Sequence, residues 1–396
     1  MKARRMLNMV TETLGGGSLS RINASHHLFY PSTAQAQHHR QIQEQQAAAA
    51  AAAQKDGYDG VLRLPPRKLR FEPSPSNRTT TLGFFPFGSE GSKIVCVDEA
   101  GRSLLYDADA CTVHTMPALG HPTGLRFPAS FAVTRADAHD PDRPEALYLL
   151  DRAGGGFQLQ ALVYGDPDRD PRPRPEHRDS SVWLHFERRN FAWHWRQLPP
   201  PPGHDDRDSL SLQSYALLHG RTICVSFNRH CSDRSTDSRG GTYCFDTGTG
   251  EWTKAGDWTL PFHYSRALHV PELGDDLLFG INGDCFCAID VSDAMNTTNN
   301  GPSSAPVLRH AWPDVDPTPP DWYPSLQDSV AYLGAGRFCI HRCFDIMATD
   351  GYGDSYAADT VTLLTGVEVV RDADSSKLRM VRHKSKRIDF NIDHLL

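Results

Sequence analysis

A glycine pair, an aromatic strand, a polar turn and a tryptophan form the unit that most constrains how this chain can fold. The run Gly240–Asp246 reads Gly-Gly-Thr-Tyr-Cys-Phe-Asp, and Trp252 follows six residues after the aspartate. Short runs rich in aromatic and β-branched residues on either side of a turn predict paired β-strands. Weaker copies of this unit recur along the chain, which indicates a repeat rather than an isolated hairpin.

The turns of the repeat fall at regular intervals. Asp98-Glu99-Ala100-Gly101 and Asp151-Arg152-Ala153-Gly154 align without a gap 53 residues apart, and Asp246 and Asp290 are 44 residues apart. Periods of about 45 to 50 residues with four short strands are typical of propellers, whose blades bury one another's faces. We therefore predict an all-β fold, a kelch-like β-propeller of about six four-stranded blades (five to seven). A series of β-sandwiches is the structural alternative.

Composition divides the chain into segments. Short apolar runs such as Leu7–Val10, Leu28–Tyr30 and Val61–Leu64 predict strands that complete a closing blade with the C-terminus. A Gln-, His- and Ala-rich stretch lacks an apolar stripe and predicts a disordered or frayed insertion, with a partner-binding helix as the alternative. The predicted segments are N-terminal strands in 1–33, the low-complexity insertion in 34–56, the propeller in 57–388 and a C-terminal tail in 389–396.

Long polar insertions interrupt the strands. Rich in Asp, Arg, Pro, Ser and Asn, they cannot enter a core and are expected on the faces of the ring. They occupy residues 165–181, 199–209, 229–239, 296–306 and 317–324. Because a rigid ring with variable face loops suits binding, loop-borne Trp322, Tyr323 and arginine residues are candidate anchors for a protein partner.

Charge, hydropathy and cysteine usage exclude several classes of function. The formal net charge of −7 argues against non-specific nucleic-acid binding. No run of about 18 apolar residues is present, so no membrane span is predicted. Nine cysteines without a Cys-x-x-Cys pair read as small core residues in a reducing compartment. We predict a cytoplasmic or nuclear protein that is not secreted, with the basic N-terminus leaving an organelle transit peptide as the alternative.

Side chains capable of chemistry are present but lack the spacing of known sites. His26-His27 and His38-His39 have no carboxylate or cysteine at metal-ligand spacing. The recurrent aspartates resemble a catalytic set, but their period predicts that each caps its own turn. They are Asp98, Asp107, Asp151, Asp246 and Asp290. We therefore predict no catalytic residue, no metal and no cofactor, and expect that the protein is not an enzyme.

Two segments could contact nucleic acid. Phe191, Trp193 and Trp195 alternate along a strand and could stack on bases, although residues on one strand face are expected to pack between blades. The basic segment 377–387 is either an import signal, a phosphate-contacting stripe or a final strand with a charged solvent face. We favour the structural interpretation of both segments.

Several runs together resemble a known family. They are Arg4–Asn8, His27–Pro31, Gly101–Asp107, Gly241–Thr247, Trp252–Trp258 and Leu364–Val370. Over nearly its whole length the chain resembles a large family from grasses, kelch-like β-propellers defined only as a domain of unknown function. The resemblance implies the fold and no activity. Related plant propellers often follow an F-box, a helical module that docks to a ubiquitin ligase, but no amphipathic helix pair precedes the first strand here.

The sequence therefore predicts a non-enzymatic scaffold that binds a protein partner through its face loops. The alternative is a propeller enzyme or sugar-binding protein with a site at the mouth of the central channel. That alternative requires acids in the insertions, such as Asp166, Asp233 or Asp354, to converge with a histidine. A nucleic-acid binder that uses residues 377–387 is a third hypothesis.

Overall fold

Nearly all secondary structure in the computed structural model is β-strand. It describes residues 4–13, 16–49, 58–72, 81–88, 91–120, 125, 128–136, 138, 140, 143–153, 156–167, 191–202, 210–229, 240–262, 265–283, 285–295, 304–313, 315, 322–325, 328–349, 353, 355–372, 377–388 and 391–396.

The strands are, in chain order, β1 (Met6–Thr13), β2 (Gly16–Asn23), β3 (Leu69–Phe71), β4 (Leu82–Phe87), β5 (Lys93–Asp98), β6 (Ser103–Asp107), β7 (Thr112–Met116), β8 (Ala129–Thr134), β9 (Glu145–Ala153), β10 (Gly156–Gly165), β11 (Ala192–Leu198), β12 (Leu210–Leu218), β13 (Thr222–Arg229), β14 (Gly241–Asp246), β15 (Glu251–Gly256), β16 (Ser265–His269), β17 (Leu277–Asn282), β18 (Cys285–Asp290), β19 (Val307–Trp312), β20 (Trp322–Pro324), β21 (Ser329–Gly334), β22 (Arg337–Thr349), β23 (Ser355–Arg371), β24 (Leu378–Ile388) and β25 (His394–Leu395). The helices are α1 (Ala24–Leu28), α2 (Thr33–Ala49) and α3 (Ser292–Met295).

Within the described residues the strands form six antiparallel blades. Blade 1 is β4-β5-β6-β7, blade 2 is β8-β9-β10-β11, blade 3 is β12-β13-β14-β15 and blade 4 is β16-β17-β18-β19. In blade 5, β20 and β21 both pair with β22, followed by β23 and β24, and blade 6 is β25-β1-β2-β3. The innermost strands of blades 1 to 6 are β4, β8, β12, β16, β21 and β25, respectively. Of these, β12 and β16 pair in parallel and join blades 3 and 4.

The hydrophobic core lies between blades rather than within any one of them. Phe71 of blade 6 packs against Phe84 of blade 1, and Leu19 and Ile94 lie in the same cluster. Further clusters join blades 1 and 2, 2 and 3, 3 and 4, 4 and 5, and 5 and 6. Every blade therefore packs on both neighbours, and the ring closes. This is the all-β propeller with four-stranded blades that the repeat predicted.

Blade 6 is built from both ends of the described chain. Met9 pairs with Leu395 and Val10 with His394, so β25 adds to β1 as the innermost strand. Both ends of the chain contribute strands to this blade, but two of the runs expected in it form no strand: Leu28 ends helix α1, and in residues 61–64 only Val61 makes an isolated bridge. Residues 389–396 were expected to be a tail, but in the described part, residues 391–396, Ile392 is fully buried and β25 pairs with β1.

The low-complexity insertion also differs from its prediction. Residues 33–49 form helix α2, whereas the composition of 34–56 predicted disorder or fraying. Contacts outside the helix hold it: Ala36 is 1% exposed, and the His39 ring stacks on Tyr30 at 4.5 Å. Such tertiary contacts stabilise a helix whose own amphipathicity is weak. Residues 50–56 lie outside the described part of the chain.

The inner strands define two faces of the ring. β12 and β16 run in the same sense, and because the blades share one strand order in a closed ring, so do all six innermost strands, which begin at Leu82, Ala129, Leu210, Ser265, Ser329 and His394. We call the face where they begin the entry face. Because strands within a blade are antiparallel, the turn between the second and third strands of each blade also lies on the entry face.

Candidate functional site

The recurrent aspartates cap turns. Oδ1 of Asp246 accepts hydrogen bonds from the backbone N–H groups of Gly248 and Thr249, at 2.7 and 3.1 Å. A hydrogen bond from Arg221 keeps the pKa of Asp246 below its usual value. The side chains of Asp98, Asp107 and Asp290 likewise each accept a hydrogen bond from a backbone N–H group. For these four the predicted turn-capping role is confirmed.

Asp151 has an additional role. Its Oδ2 accepts from the backbone N–H of Leu125 at 3.0 Å, so it holds the segment that leads into blade 2. Asp151 is only 3% exposed, so this is a buried hydrogen bond to a charged group. Its own turn, at residues 154–155, lies outside the described residues.

The histidine pairs lie in helices α1 and α2. His26 and His27 end α1 with their rings edge to face at 4.8 Å, and His39 of the pair His38-His39 stacks on Tyr30. In the part of the chain that the structure describes, no three or more His, Cys, Asp or Glu side chains come close enough to hold a metal ion. Of the two pairs, the ring contact of His39 with Tyr30 joins α2 to the residues between the helices.

The aromatic strand β11 packs between blades 1 and 2, as predicted from its alternation. Trp193 meets Phe87 edge to face at 5.5 Å, and Nε1 of Trp195 donates to the Pro117 carbonyl at 3.0 Å. Both indoles lie against the core that joins the two blades. The same bond recurs one blade later, where Trp252 Nε1 donates to Pro199 at 2.8 Å. Sequence reasoning did not identify this inter-blade bond, although its signal was the recurrent tryptophan.

The basic segment 377–387 is strand β24, the outermost strand of blade 5, as predicted. His383 and Ser385 point inward and are buried, while the cations alternate with them on the other face. Lys386 Nζ donates to the Asp59 carbonyl at 2.5 Å, and Lys384 Nζ lies 4.9 Å above the Tyr30 ring. Lys384 thus contacts the chain between α1 and α2, and Lys386 contacts the chain after α2, so both hold these residues against blade 5.

The central strands of blade 5 are longer than those of the other blades. β22 has 13 residues and β23 has 17, and their pairing continues from Phe344↔Val361 to Thr349↔Ser355. β20 pairs with the same extension, Trp322 facing Ile346. We call residues 322–324, 344–349 and 355–361 the overhang. It continues blade 5 beyond the entry face.

The overhang has a small core and exposed aromatic side chains. Trp322 stacks at 6.3 Å on Tyr58 and packs against Phe344, so this predicted partner anchor supports the ribbon itself. Tyr323, by contrast, is 56% exposed, and Tyr356 is 51% exposed. Tyr356 was missed from the sequence because nothing in residues 355–371 shows that the strand extends past its blade.

Of the acids that a channel-mouth enzyme would need, only Asp166 lies in the part of the chain that the structure describes. Asp166 follows β10 on the face opposite the entry face, and Asp233 and Asp354 lie outside the described residues. One acid–histidine pair occurs at the entry face, where His394 Nε2 lies 2.9 Å from Glu12 Oε1. Burial raises the pKa of the adjacent Asp393, whose Oδ2 accepts from the Glu12 N–H.

Comparison with known proteins defines the family and not a biochemical activity. Among the helices that the structure describes, none has the length and apolar character needed to span a membrane. The family described as "Protein of unknown function (DUF1668)" matches residues 4–388. No curated protein matches the chain.

Two solved structures show distant likeness. One is a structural genomics protein of unknown function from Bacteroides thetaiotaomicron, with 11% identity and a TM-score of 0.34 over 73% of this chain. This chain covers 55% of that protein's length. The other is the β-propeller domain of Cps50 (Swd1) from Myceliophteria thermophila, with 9% identity, a TM-score of 0.32, and coverage of 79% of this chain and 86% of that one. By the match over residues 4–388, the chain belongs to the family described as Protein of unknown function (DUF1668).

Proposed function

We propose that this protein is a non-enzymatic scaffold that binds a protein partner through the overhang on its entry face. The observation that carries the proposal is the exposure of Tyr323 and Tyr356, 56% and 51%, on a paired β-ribbon. Tyrosine gives an interface a large contact area with little rotamer entropy to lose, and it is enriched at binding hot spots. A paired ribbon holds such side chains in place before the partner arrives.

The charge of the overhang suggests the chemistry of that partner. The overhang contains two acidic residues, Asp345 and Asp359, and no Lys, Arg or His. An acidic surface with exposed tyrosines is complementary to a basic protein surface, because arginine both pairs with carboxylates and stacks on aromatic rings. We therefore propose that the partner presents arginine or lysine to the overhang.

Affinity capture with the full chain tests this proposal. The double variant Tyr323→Ala/Tyr356→Ala removes the exposed rings, and Val113→Ala removes an exposed apolar side chain, 54% exposed, on β7 of blade 1. We expect the same partner with the wild type and with Val113→Ala, and its loss with the double variant. Binding should weaken as salt rises, because the charged contacts are screened.

Circular dichroism and a thermal melt establish that each variant is folded. The proposal is contradicted if folded wild-type protein captures no partner, or if the double variant keeps every partner that the wild type binds. Retention of partners by the double variant would move the interaction to another part of the ring.

We also propose that the blades are kelch-like repeats in a cytoplasmic or nuclear protein. The glycine pair supports the kelch-like assignment, because a Cβ on Gly240 would lie 1.8 Å from the Phe227 carbonyl oxygen. Any other residue there would push β13 and β14 apart. Fractionation of cells that express the tagged chain tests the compartment, and recovery in an organelle fraction would contradict it.

A further inference from the structure

An arginine without a partner lies on an innermost strand where blades 3 and 4 join. In the parallel register of β12 and β16, Tyr215 stands beside Arg266 and Ala216 beside Ala267. Ala216 and Ala267 are buried in the core between the two blades. Tyr215 and Arg266 therefore project to the other side of this strand pair, away from that core. Arg266 is the second residue of β16, close to the entry face.

The polar atoms of this site are not satisfied by the protein that surrounds them. Nε of Arg266 and Oγ of Ser265 are both inaccessible to solvent, and neither has a hydrogen-bond partner among the described residues. The Tyr215 ring packs edge to face on Phe131 at 5.4 Å, and its hydroxyl likewise bonds to no described residue. Arg266 and Tyr215, which face the same side of the strand pair, thus each keep a free donor, whereas Ser265 faces the side of Ala267.

A second buried arginine shows what this fold does when such a charge is structural. Arg342 in blade 5 has a side chain 5% exposed, and its Nε donates to Asp328 at 3.2 Å. Arg266 has no comparable carboxylate within the described part of the chain. Its surroundings are also desolvated, because burial lowers the pKa of Arg266 and raises that of Tyr215.

A guanidinium that is partly removed from water and left unpaired destabilises a fold, unless a ligand supplies the missing acceptors. The planar fork of arginine matches the oxygen atoms of carboxylate and phosphate groups. We propose that the junction of blades 3 and 4 binds a small oxyanion, either a carboxylate or a phosphate. Arg266 pairs with its charge, and the hydroxyl of Tyr215 donates to one of its oxygen atoms.

Thermal melts of the full chain with two probes test the site. Sodium phosphate and sodium succinate are titrated separately, with sodium chloride keeping the ionic strength constant. We expect at least one probe to raise the melting temperature of the wild type in a saturable manner, because a ligand that binds only the folded state stabilises it. The probe that acts distinguishes the phosphate from the carboxylate.

Variants separate binding from general salt effects. Arg266→Met should abolish the rise, Tyr215→Phe should weaken it, and Arg196→Met, at an exposed position on β11, should leave it unchanged. In sodium chloride alone Arg266→Met should melt no lower than the wild type, because it removes an uncompensated charge.

Three results would overturn the proposal. The first is a wild type that responds to neither probe. The second is a rise that survives unchanged in Arg266→Met. The third is an Arg266→Met variant that melts well below the wild type in sodium chloride alone, since that would make the arginine a structural residue.

Discussion

At the residue scale, Glu368 joins three parts of the structure through one carboxylate. Its Oε2 accepts from Thr33 Oγ1 at 2.6 Å and lies 3.2 Å from His383 Nε2, while Oε1 accepts from Arg337 Nε at 3.1 Å. The backbone N–H of Tyr30 donates to His383 Nδ1, which places the proton of the neutral ring on Nε2, facing the carboxylate. Tyr30 and Thr33, the first residue of α2, are thereby held on blade 5.

These bonds lower the pKa of Glu368 to about 2, with the hydrogen bond from His383 as the largest cause. A carboxylate with a depressed pKa stabilises the folded state in full above its unfolded pKa and loses that stabilisation as the pH falls toward its folded pKa. Between pH 4.5 and 2, we therefore expect the free energy of unfolding to fall more steeply for the wild type than for Glu368→Gln. At neutral pH the variant should be less stable by about 1–3 kcal/mol.

Urea denaturation over a pH series measures both effects. Glu145→Gln is the matched control, because its carboxylate lies 3.8 Å from Lys93 Nζ at a more exposed position. Its pH profile should follow that of the wild type. Parallel profiles for the wild type and Glu368→Gln would show that this carboxylate does not couple the helices to blade 5.

The cysteines should differ in reactivity according to burial. Cys111 is exposed, whereas burial raises the pKa of Cys96 to about 12 and that of Cys343 to about 11. Because the thiolate is the reactive form, raised pKa values slow alkylation. Iodoacetamide labelling of the native protein, followed by peptide mass spectrometry, should modify Cys111 well before the other two. Equal rates would contradict the burial of Cys96 and Cys343.

At the element scale, tryptophans on the outer strands of blades 2 and 3 each donate a hydrogen bond to the preceding blade. Trp195 on β11 reaches the carbonyl that follows β7, and Trp252 on β15 reaches the carbonyl that follows β11. The outer strands lie far from the axis of the ring. At that distance, neighbouring blades diverge from each other. A long side chain with a polar tip spans that gap, filling it with apolar surface and ending in a hydrogen bond.

We expect Trp195→Phe to lower the free energy of unfolding by about 1 kcal/mol more than Trp193→Phe. Both changes reduce packing between blades 1 and 2, but only the first removes the donor to Pro117. Equilibrium urea denaturation of the two variants gives the comparison. Equal losses would assign the whole contribution of Trp195 to packing.

Local pattern predicts some elements of this fold and not others. The aspartate turns and strand β24 followed from spacing and alternation, since both depend on residues close in sequence. Helix α2 did not, because it is held by Tyr30 and by strand β24, which lie outside the segment. The overhang was missed for a similar reason. Alternation identifies a strand, but it does not show where the strands of the adjacent blades end. The unpaired state of Arg266 depends on the whole ring.

At the scale of the whole molecule, stability depends on ring closure by segments from opposite ends of the sequence. The backbone N–H and carbonyl of Asn8 bond to Leu396 at 3.0 and 2.9 Å, and Arg4 Nη2 donates to the Leu396 carbonyl at 2.6 Å. The repeat predicted about six blades because each blade is a local unit. It could not specify the register between β1 and β25, which no local pattern encodes.

Removal of residues 391–396 should destabilise the entire ring. The loss of the buried side chains of Ile392 and Leu396 alone should cost about 3–6 kcal/mol. A circular permutant, opened at the exposed turn after Asn282 with a short linker from residue 396 to residue 4, is the control. It should retain the native circular dichroism spectrum and melt close to the wild type. Equal melting of the truncated protein and the wild type would show that β25 is dispensable.

The same closure sets an order of events during synthesis. Arg4 and Leu396 are 392 residues apart in the chain, so at usual translation speeds β1 leaves the ribosome roughly 20 to 80 s before its innermost partner exists. Throughout that interval Leu7, Met9 and Val10, all fully buried in the finished ring, lack the strand that completes their blade. We therefore expect the nascent chain to require shielding of its first strands, as molecular chaperones provide, until the last strand arrives.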